Sequence, residues 1–516
     1  MNPHFERNPD AVIQDFMPPK KAYAQIERVE PESGPGPWAL SLDAISADWL
    51  MQAALAQNDF FNFYDPNRMA DRWNDYWSRA ILQLPNGRNV FKPTPNPFEQ
   101  AHLYRIEIEI PQPIFAMDFI EQDWPVPPVE DFEKHWFVFE FHRERIPPNA
   151  FECHLYYNAF AAPATVYATV SFLDPASLVA IGLSKLATLD DLPTIDTYDF
   201  ADELASAGGA EYLAAYDVGQ GNANALLNPA ITSNNRPTLY FDVGCGVYAN
   251  RGTTPYPLTF CFNWKPLIVM SHWDSDHWMG VCVPGHPNQV AGLGLNWVAP
   301  KQNITTHHKT FALDIIAKGG SIRIYNPPAL TVGTAFLGPG EQIRFTRGTR
   351  AGRNHSGIVL SVEKQIAGVW NSWLLTGDCD YRYFAHLAIH EAVAVVVPHH
   401  GARPVTANPA PLAIPANGVP GYVRAVYSFG PSNKQAGVQH PTPEAVTLHV
   451  ASNWSHGGVW AANPGDAMPG ANTLATSEHA LPYARGGCLV GWAMAPAVPV
   501  INCGCGCGSN TSLTQS

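Results

Sequence analysis

The chain has 516 residues, a formal net charge of −14 and only 15% charged residues. The length is too great for one small core and points to two domains, while 46% apolar residues exclude a disordered chain. The acidic balance argues against an extended nucleic-acid coat, which would lean on Lys and Arg, though not against a local basic groove. No window approaches about 18 consecutive apolar residues, so no transmembrane helix is expected. The opening MNPHFERNPDAVIQDF has no basic-then-apolar leader. A cytoplasmic protein with no membrane partner is the expectation. Abundant Pro (47) and Gly (40) favour short strands and many turns. Nine cysteines, an odd number with no pair at the two-residue gap of a zinc ribbon, read mostly as buried thiols in a reducing compartment.

In chain order, DRWNDYWSRAILQL (71–84) has helical spacing. LYRIEIEI (103–110), HWFVFEFHRERI (135–146) and TVYATVSFL (165–173) read as strands, alternating or rich in β-branched and aromatic residues. They predict a separate α+β or mostly β N-terminal domain over residues 1–205, without a visible catalytic cluster. TLDDLPTIDTYDFADELASAGG (188–209) reads as an acidic linker or short helix at the boundary. EYLAAYDVGQGNANALLNP (211–229) then reads as strand, tight glycine turn, strand. TLYFDVGCG, PLIVMSHWDSDHWMG, GIVLSVEKQ, SWLLTGDCD, AVAVVVPHHGA and RAVYSFGPS follow. Each is a short apolar run that delivers polar residues at its C-terminal end, as layered sheet enzymes do. This second domain is expected over 206–500, and the CGCGCG-bearing tail 501–516 is expected to be flexible.

The densest chemistry is SHWDSDHWMG (271–280), where His272, Asp274, Asp276 and His277 occupy six positions directly after a buried strand. Imidazole nitrogen and carboxylate oxygen together suit Zn²⁺ or Mn²⁺. Other strand ends offer Asp378, His399, His400 and His440. RFTRGTRAGRN (344–354) spaces Arg344, Arg347, Arg350 and Arg353 three apart. Arginine forks suit phosphate oxygens, so Arg347, Arg350 and Arg353 are phosphate-binding candidates, against an equal reading as ordinary surface charge. KQNITTHHK (301–309) adds basic character, and its His307 and His308 read as surface residues.

The ordered motifs resemble the metallo-β-lactamase fold, whose signature loop is HxHxDH, and most closely the hydrolase domain of ComEC-type competence (DNA-uptake) proteins, in which Asp replaces the second His as in HWDSDH. DVGQGNA (217–223) is similar to DVGQGDA with Asn222 for Asp, and FDVG (241–244) to the acidic strand end before the metal loop. LLTGD (374–378) is similar to the bridging-aspartate motif, VPHHGA (397–402) to VPHHGS with Ala402 for Ser, and QHPTPEAV around His440 to HPSPEVL. The resemblance covers roughly residues 211–450 and implies an αββα sandwich.

The same resemblance implies two divalent ions, Zn or Mn. Their ligands would be His272, Asp274, Asp276, His277, Asp378, His440 and one of the His399/His400 pair, His400 being preferred. Asp378 would bridge the ions, Asp276 would also orient the attacking water, and His399 would protonate the leaving oxygen. Asp217 and Asp242 would support the loops from behind. Asn354 or His355 stands where a further ligand histidine is expected. The reading is a metal-dependent phosphodiesterase or nuclease with DNA or RNA as substrate, a stand-alone enzyme of a bacterial defence system by analogy. The N-terminal domain would meet a protein partner. The alternatives are a hydrolase of a small ester, lactone or nucleotide, and an inactive metal-binding module.

Overall fold

The computed structural model describes residues 1–6, 17–30, 38–56, 59–63, 65–84, 89–110, 133–145, 147–229, 236–283, 290–404, 409–414, 422–430, 433, 440–454, 456–459, 467–469, 473–476, 486–496 and 513–515. The chain forms two compact units: Met1–Pro193 with Asn303–Ile322, and Thr194–Gln302 with Arg323–Ser516.

The first unit carries β1 (Lys21–Glu30), β2 (Trp38–Ser46), β3 (Ile81–Gln83), β4 (Asn89–Phe91), β5 (Leu103–Ile110), β6 (Phe137–His142), β7 (Phe151–Tyr156) and β8 (Ala164–Phe172). The order β1-β2-β5-β7-β8-β6 closes into an antiparallel barrel, β6 returning to β1, while β3 and β4 form a separate hairpin. Alternate residues such as Leu40, Leu42 and Ala44 on β2, and Ile106 and Ile108 on β5, fill the interior. Closure gives each of the six strands a partner on both sides. The helix Pro66–Ala80 starts where Asp65 accepts the Arg68 N–H at 3.1 Å, with Pro in its first turn, and buries Met69, Trp73, Tyr76 and Ala80 along one face.

The helix Thr306–Ala317 belongs to this barrel unit. Asp43 on β2 accepts the Thr305 hydroxyl at 2.6 Å, and Arg105 on β5 pairs with Asp43 at 3.0 Å and Glu27 at 2.7 Å. His307 and His308, expected at the surface, are fully buried; each ring approaches Asp43 Oδ2 to 3.9 Å. Lys309 is likewise interior, paired with Asp191 and lying over the rings of Trp73 and Trp77. His307, His308 and Lys309 are therefore interior rather than part of a basic surface, and the lysine charge is paired, as a buried charge must be to be tolerated.

The second unit carries β9 (Thr194–Ile195), β10 (Tyr212–Ala215), β11 (Ala223–Leu227), β12 (Pro237–Val243), β13 (Leu267–Val269), β14 (Asn296–Pro300), β15 (Ser321–Tyr325), β16 (Gly333–Gly338), β17 (Glu341–Arg347), β18 (Ile358–Ile366), β19 (Val369–Leu375), β20 (Glu391–Val396), β21 (Arg424–Tyr427), β22 (His456–Val459), β23 (Ala467–Pro469), β24 (Thr473–Ala475), β25 (Gly487–Val490) and β26 (Leu513–Gln515). One sheet has the order β26-β25-β10-β11-β12-β13-β14-β15-β9, a second β16-β17-β18-β19-β20-β21-β24, and β22 and β23 pair separately. A single buried apolar cluster draws Leu213, Phe241, Val269 and Val298 from the first sheet and Ile343, Leu360, Trp373 and Val426 from the second. The stretch read as acidic linker or short helix contains the helix Thr197–Ala205, capped by Asp196. Of the tail expected to be flexible, 501–512 and 516 lie outside the described residues, while β26 pairs parallel with β25.

β12, β13 and β14 run parallel, as do β19, β20 and β21. Parallel strands bring their C-terminal ends to the same edge, where loops are free to carry function. Asp242, the loop 271–277, Asp378 and the His399–His400 pair all stand at such ends. Among the described residues, no helix is long and apolar enough to cross a membrane, and the described cysteines, Cys153, Cys245, Cys261, Cys282, Cys379 and Cys488, are buried.

Candidate metal centre

β13 ends at Val269, and the chain turns at once into the aspartate–histidine loop. Asp242, in the left-handed region at φ 64°, anchors that turn: its carboxylate accepts the Ser271 N–H at 2.6 Å and the Ser271 hydroxyl at 2.8 Å. A non-glycine residue at positive φ costs free energy and persists where its surroundings impose it. The same carboxylate lies 2.8 Å from His277 Nδ1, so Nε2 is the ring nitrogen that His277 turns towards the other site residues. The loop closes through a short 3-10 turn, Ser275–His277, in which His277 N–H donates to the Asp274 carbonyl at 3.0 Å. Asn222 supports it from the glycine turn after β10: its N–H donates to the Asp276 carbonyl at 3.1 Å, and its side chain to Asp242 at 3.4 Å.

The remaining donors arrive from the second sheet. Asp378 follows β19. His399 and His400 follow β20 and hold φ of 50° and 55°, two consecutive non-glycine residues in the left-handed region. This strained turn points both rings inward. His277 Nε2 stands 3.0 Å from Asp378 Oδ1, and His272 Nε2 stands 3.6 Å from Asp378 Oδ2. His399 Nε2 is 3.5 Å from Asp378 Oδ2, and His400 Nε2 is 3.3 Å from Asp276 Oδ2. Two triads result, His272–His277–Asp378 and Asp276–His277–His400, each with ligand atoms within 4.8 Å of one another.

These residues fit a divalent cation by their own chemistry. His272 Nε2, His277 Nε2, His400 Nε2 and both Asp378 oxygens are buried, and beyond their close approaches to one another within the site no hydrogen-bond partner satisfies them. Burying so many unmatched polar atoms is costly unless a ligand completes them. In the protein alone, burial pulls the His277 ring down, but the carboxylates of Asp378 and Asp242 outweigh it and hold its pKa well above the ordinary value. Burial pushes Asp378 up; the rings of His277, His399 and His272 overcome this and hold its carboxyl well below the usual range. The site is thus built around positive charge.

Of the expected ligands, His272, Asp276, His277, Asp378 and His400 form the triads, while Asp274 and His440 adjoin them. Asp274 Oδ2 lies 3.6 Å from His272 Nε2, and its Oδ1 accepts from Arg353 Nε at 2.9 Å. His440 Nδ1 is 3.0 Å from Gln220 Nε2, and its ring stands 5.8 Å from that of His399. Asp217 accepts the Gly219 N–H at 3.2 Å, holding the turn that presents Gln220 and Asn222. Asn354 and His355 lie outside both triads; the His355 ring packs 4.7 Å from Tyr383 and accepts the Asp380 N–H at 3.4 Å.

The arginine series is distributed unevenly. Arg353 is buried against Asp274. Arg347 is spent on the carbonyls of Ser356 and Lys301 and on Asn326 Oδ1, and burial lowers its pKa to about 10. Arg344 donates to the carbonyls of Ala388 and Leu387 and faces Glu363 at 3.5 Å. Arg350 donates to the Tyr383 hydroxyl at 3.2 Å and borders, with Arg347, Thr349 and Leu330, a cavity of about 250 Å³.

Sequence reasoning missed Gln302. Its Oε1 accepts the Trp273 N–H at 3.2 Å, while its Nε2 donates to the Arg353 carbonyl at 2.6 Å and to Ser356 Oγ at 2.9 Å. A lone glutamine at a strand end carries no local signal. The tryptophans inside the motif did carry one: Trp273 Nε1 donates to the Pro300 carbonyl at 2.9 Å and Trp278 Nε1 to the Trp273 carbonyl at 2.8 Å, walling the loop.

Fold and site together define a mixed α/β protein with a buried histidine–aspartate centre able to hold metal. No family model matches the chain, and no curated protein matches it. A matching solved structure is MEM-A1, a subclass B3 metallo-beta-lactamase isolated from a soil metagenome library, at 13% identity and a TM-score of 0.19. The match covers 33% of this chain, which spans 60% of the length of that one.

Proposed function

We propose that the second unit is a metal-dependent hydrolase of the metallo-β-lactamase type, an αββα sandwich whose preferred substrate is a phosphodiester. The observation that carries this reading is the convergence of three imidazole nitrogens and both Asp378 oxygens, buried and satisfied by no group outside the site, at the ends of parallel strands. His272, Asp276, His277, Asp378 and His400 would hold divalent ions, with Asp274 and His440 beside them. A divalent ion bound here would supply Lewis acidity and make water nucleophilic near neutral pH. Asp276 orients the attacking water. Asp242 keeps the His277 ring turned so that Nε2 faces the centre. His399 would return a proton to the leaving oxygen. Water adds across the P–O bond, giving a phosphomonoester and an alcohol, and the proton lost by water balances the one gained by the alkoxide.

Nucleic acid is the first substrate to try. A compact ester, nucleotide or lactone is the second, favoured by a specific observation: Arg344, Arg347 and Arg353 are each engaged by carbonyls or carboxylates, which limits their reach to a polymeric backbone. The test incubates the purified chain with linear DNA, circular DNA, RNA, a chromogenic phosphodiester and a lactone panel, each with Zn²⁺ or Mn²⁺, beside Asp276→Ala. Metal-dependent cleavage of a phosphodiester that disappears in the variant is expected. Lactone turnover without phosphodiester cleavage would replace the substrate class. Inertness towards every substrate, with metal bound, would overturn the assignment as a hydrolase.

A further inference from the structure

The two triads share His277. His277 Nδ1 faces Asp242, so His277 offers only Nε2, and that single lone pair serves one ion. With His277 assigned to the Asp276–His277–His400 triad, the opposite position retains His272 Nε2 and Asp378 Oδ2, with Asp274 Oδ2 at 3.6 Å from His272 as its additional carboxylate.

That carboxylate is not electrostatically free. Arg353 Nε donates to Asp274 Oδ1 at 2.9 Å, and both side chains are 2% exposed. A guanidinium is permanently charged, and a pair so enclosed is poorly screened. Arg353 is also fixed by its own backbone: its carbonyl accepts from Gln302, whose side-chain oxygen accepts from Trp273, the residue between His272 and Asp274. The clamp therefore sets both the geometry and the charge of the His272–Asp274 half of the loop.

We infer that Arg353 makes the two cation positions inequivalent. It is a positioning residue that holds Asp274 in place while offsetting its charge, so the position beside His272 binds a divalent cation more weakly than the position of Asp276, His277 and His400. The second position fills only at higher metal concentration, which makes occupancy of the complete site responsive to metal supply. This rests on the metal-centre reading above.

The test is zinc binding to the full-length chain, stripped of metal and titrated in competition with a chromophoric chelator, with melting curves confirming the fold. Wild type is expected to show one tight and one weaker equivalent. Arg353→Gln removes the charge and keeps a donor; it is expected to tighten the weaker equivalent by roughly tenfold or more and to leave the tight one nearly unchanged. Arg353→Lys keeps the charge and is expected to retain the wild-type weaker phase. If the Gln variant does not melt cooperatively, Arg353→Met serves in its place. A merely structural arginine predicts the opposite sign, weaker binding in the Gln or Met variant, and that result overturns the inference. Two equal equivalents in wild type, or no change in the variants, would also overturn it while leaving the metal centre standing. No bound zinc would overturn both.

Discussion

Asp242 Oδ2 lies 2.8 Å from His277 Nδ1, joining the end of β12 to the end of the metal loop. The contact decides which nitrogen His277 offers and how firmly its ring is held. Asp242→Asn keeps the shape but removes the charge. Zinc affinity is expected to fall by about 10- to 100-fold, the usual effect of losing a carboxylate behind a ligand histidine, with a melting curve that stays cooperative. Isothermal titration of the two proteins decides it; equal affinities would mean that Ser271 and packing alone orient the ring.

Gly244 has no room for a side chain. A methyl group there would overlap the Asp276 carbonyl and stand 2.8 Å from His277 Cα. Gly244→Ala must therefore displace the loop or β12. The expected result is a loss of about 1–3 kcal/mol of stability from overpacking, together with weakened metal binding. Denaturant unfolding reports the first and zinc titration the second; a variant with wild-type values in both would show that the loop yields without cost.

Metal should stabilise the fold by mass action, because the triads exist only in the folded chain. At a free zinc concentration of about 100 times the dissociation constant, the gain is about 2.7 kcal/mol for one site. Asp378→Ala removes both oxygens that face the histidines and is expected to abolish most of the zinc-induced rise in melting temperature. Differential scanning calorimetry of both proteins, with zinc and with chelator, is the measurement. An undiminished rise in the variant would place the stabilising ion elsewhere.

The barrel unit has its own pH dependence. Burial lowers the pKa of His4 and His307 well below the ordinary 6.5; each is pushed further by a neighbour, His307 acting on His4 and Arg105 on His307, while Asp43 pulls His4 partly back. Unfolded, these rings take up protons near pH 6.5; folded, they resist. The neutral-ring stabilisation is full above that pH and is lost as pH falls below it, by up to about 1.4 kcal/mol per pH unit for each ring. His307→Leu is expected to flatten the decline in urea midpoint between about pH 6.5 and about pH 5. An unchanged slope would assign the acid sensitivity to other groups, such as His4 and His386, whose ring pKa values burial also lowers.

Parts of this structure were legible locally. LYRIEIEI coincides with β5, and alternation is a property of a few adjacent side chains. The short apolar runs ending in Asp242, Asp378 and the His399–His400 pair are strands, because each run is long enough to be buried and stops where polar residues begin. The neighbours of those ends were not legible. Gln302 and Trp273 are 29 residues apart, and Arg353 and Asp274 are 79 apart. No period or spacing couples them, and only the packing of the strands sets those distances.

Residue type and spacing by themselves determined that His272, Asp276, His277, Asp378 and His400 carry metal-type donors at strand ends, since donor chemistry is intrinsic to each side chain. Only tertiary structure decided how the charges are used. It spent Arg353 on Asp274 and Arg347 on backbone carbonyls, and it took His307, His308 and Lys309 into the barrel unit's interior. A side chain's charge is written in its identity, whereas its burial and partner follow from which distant segments pack around it.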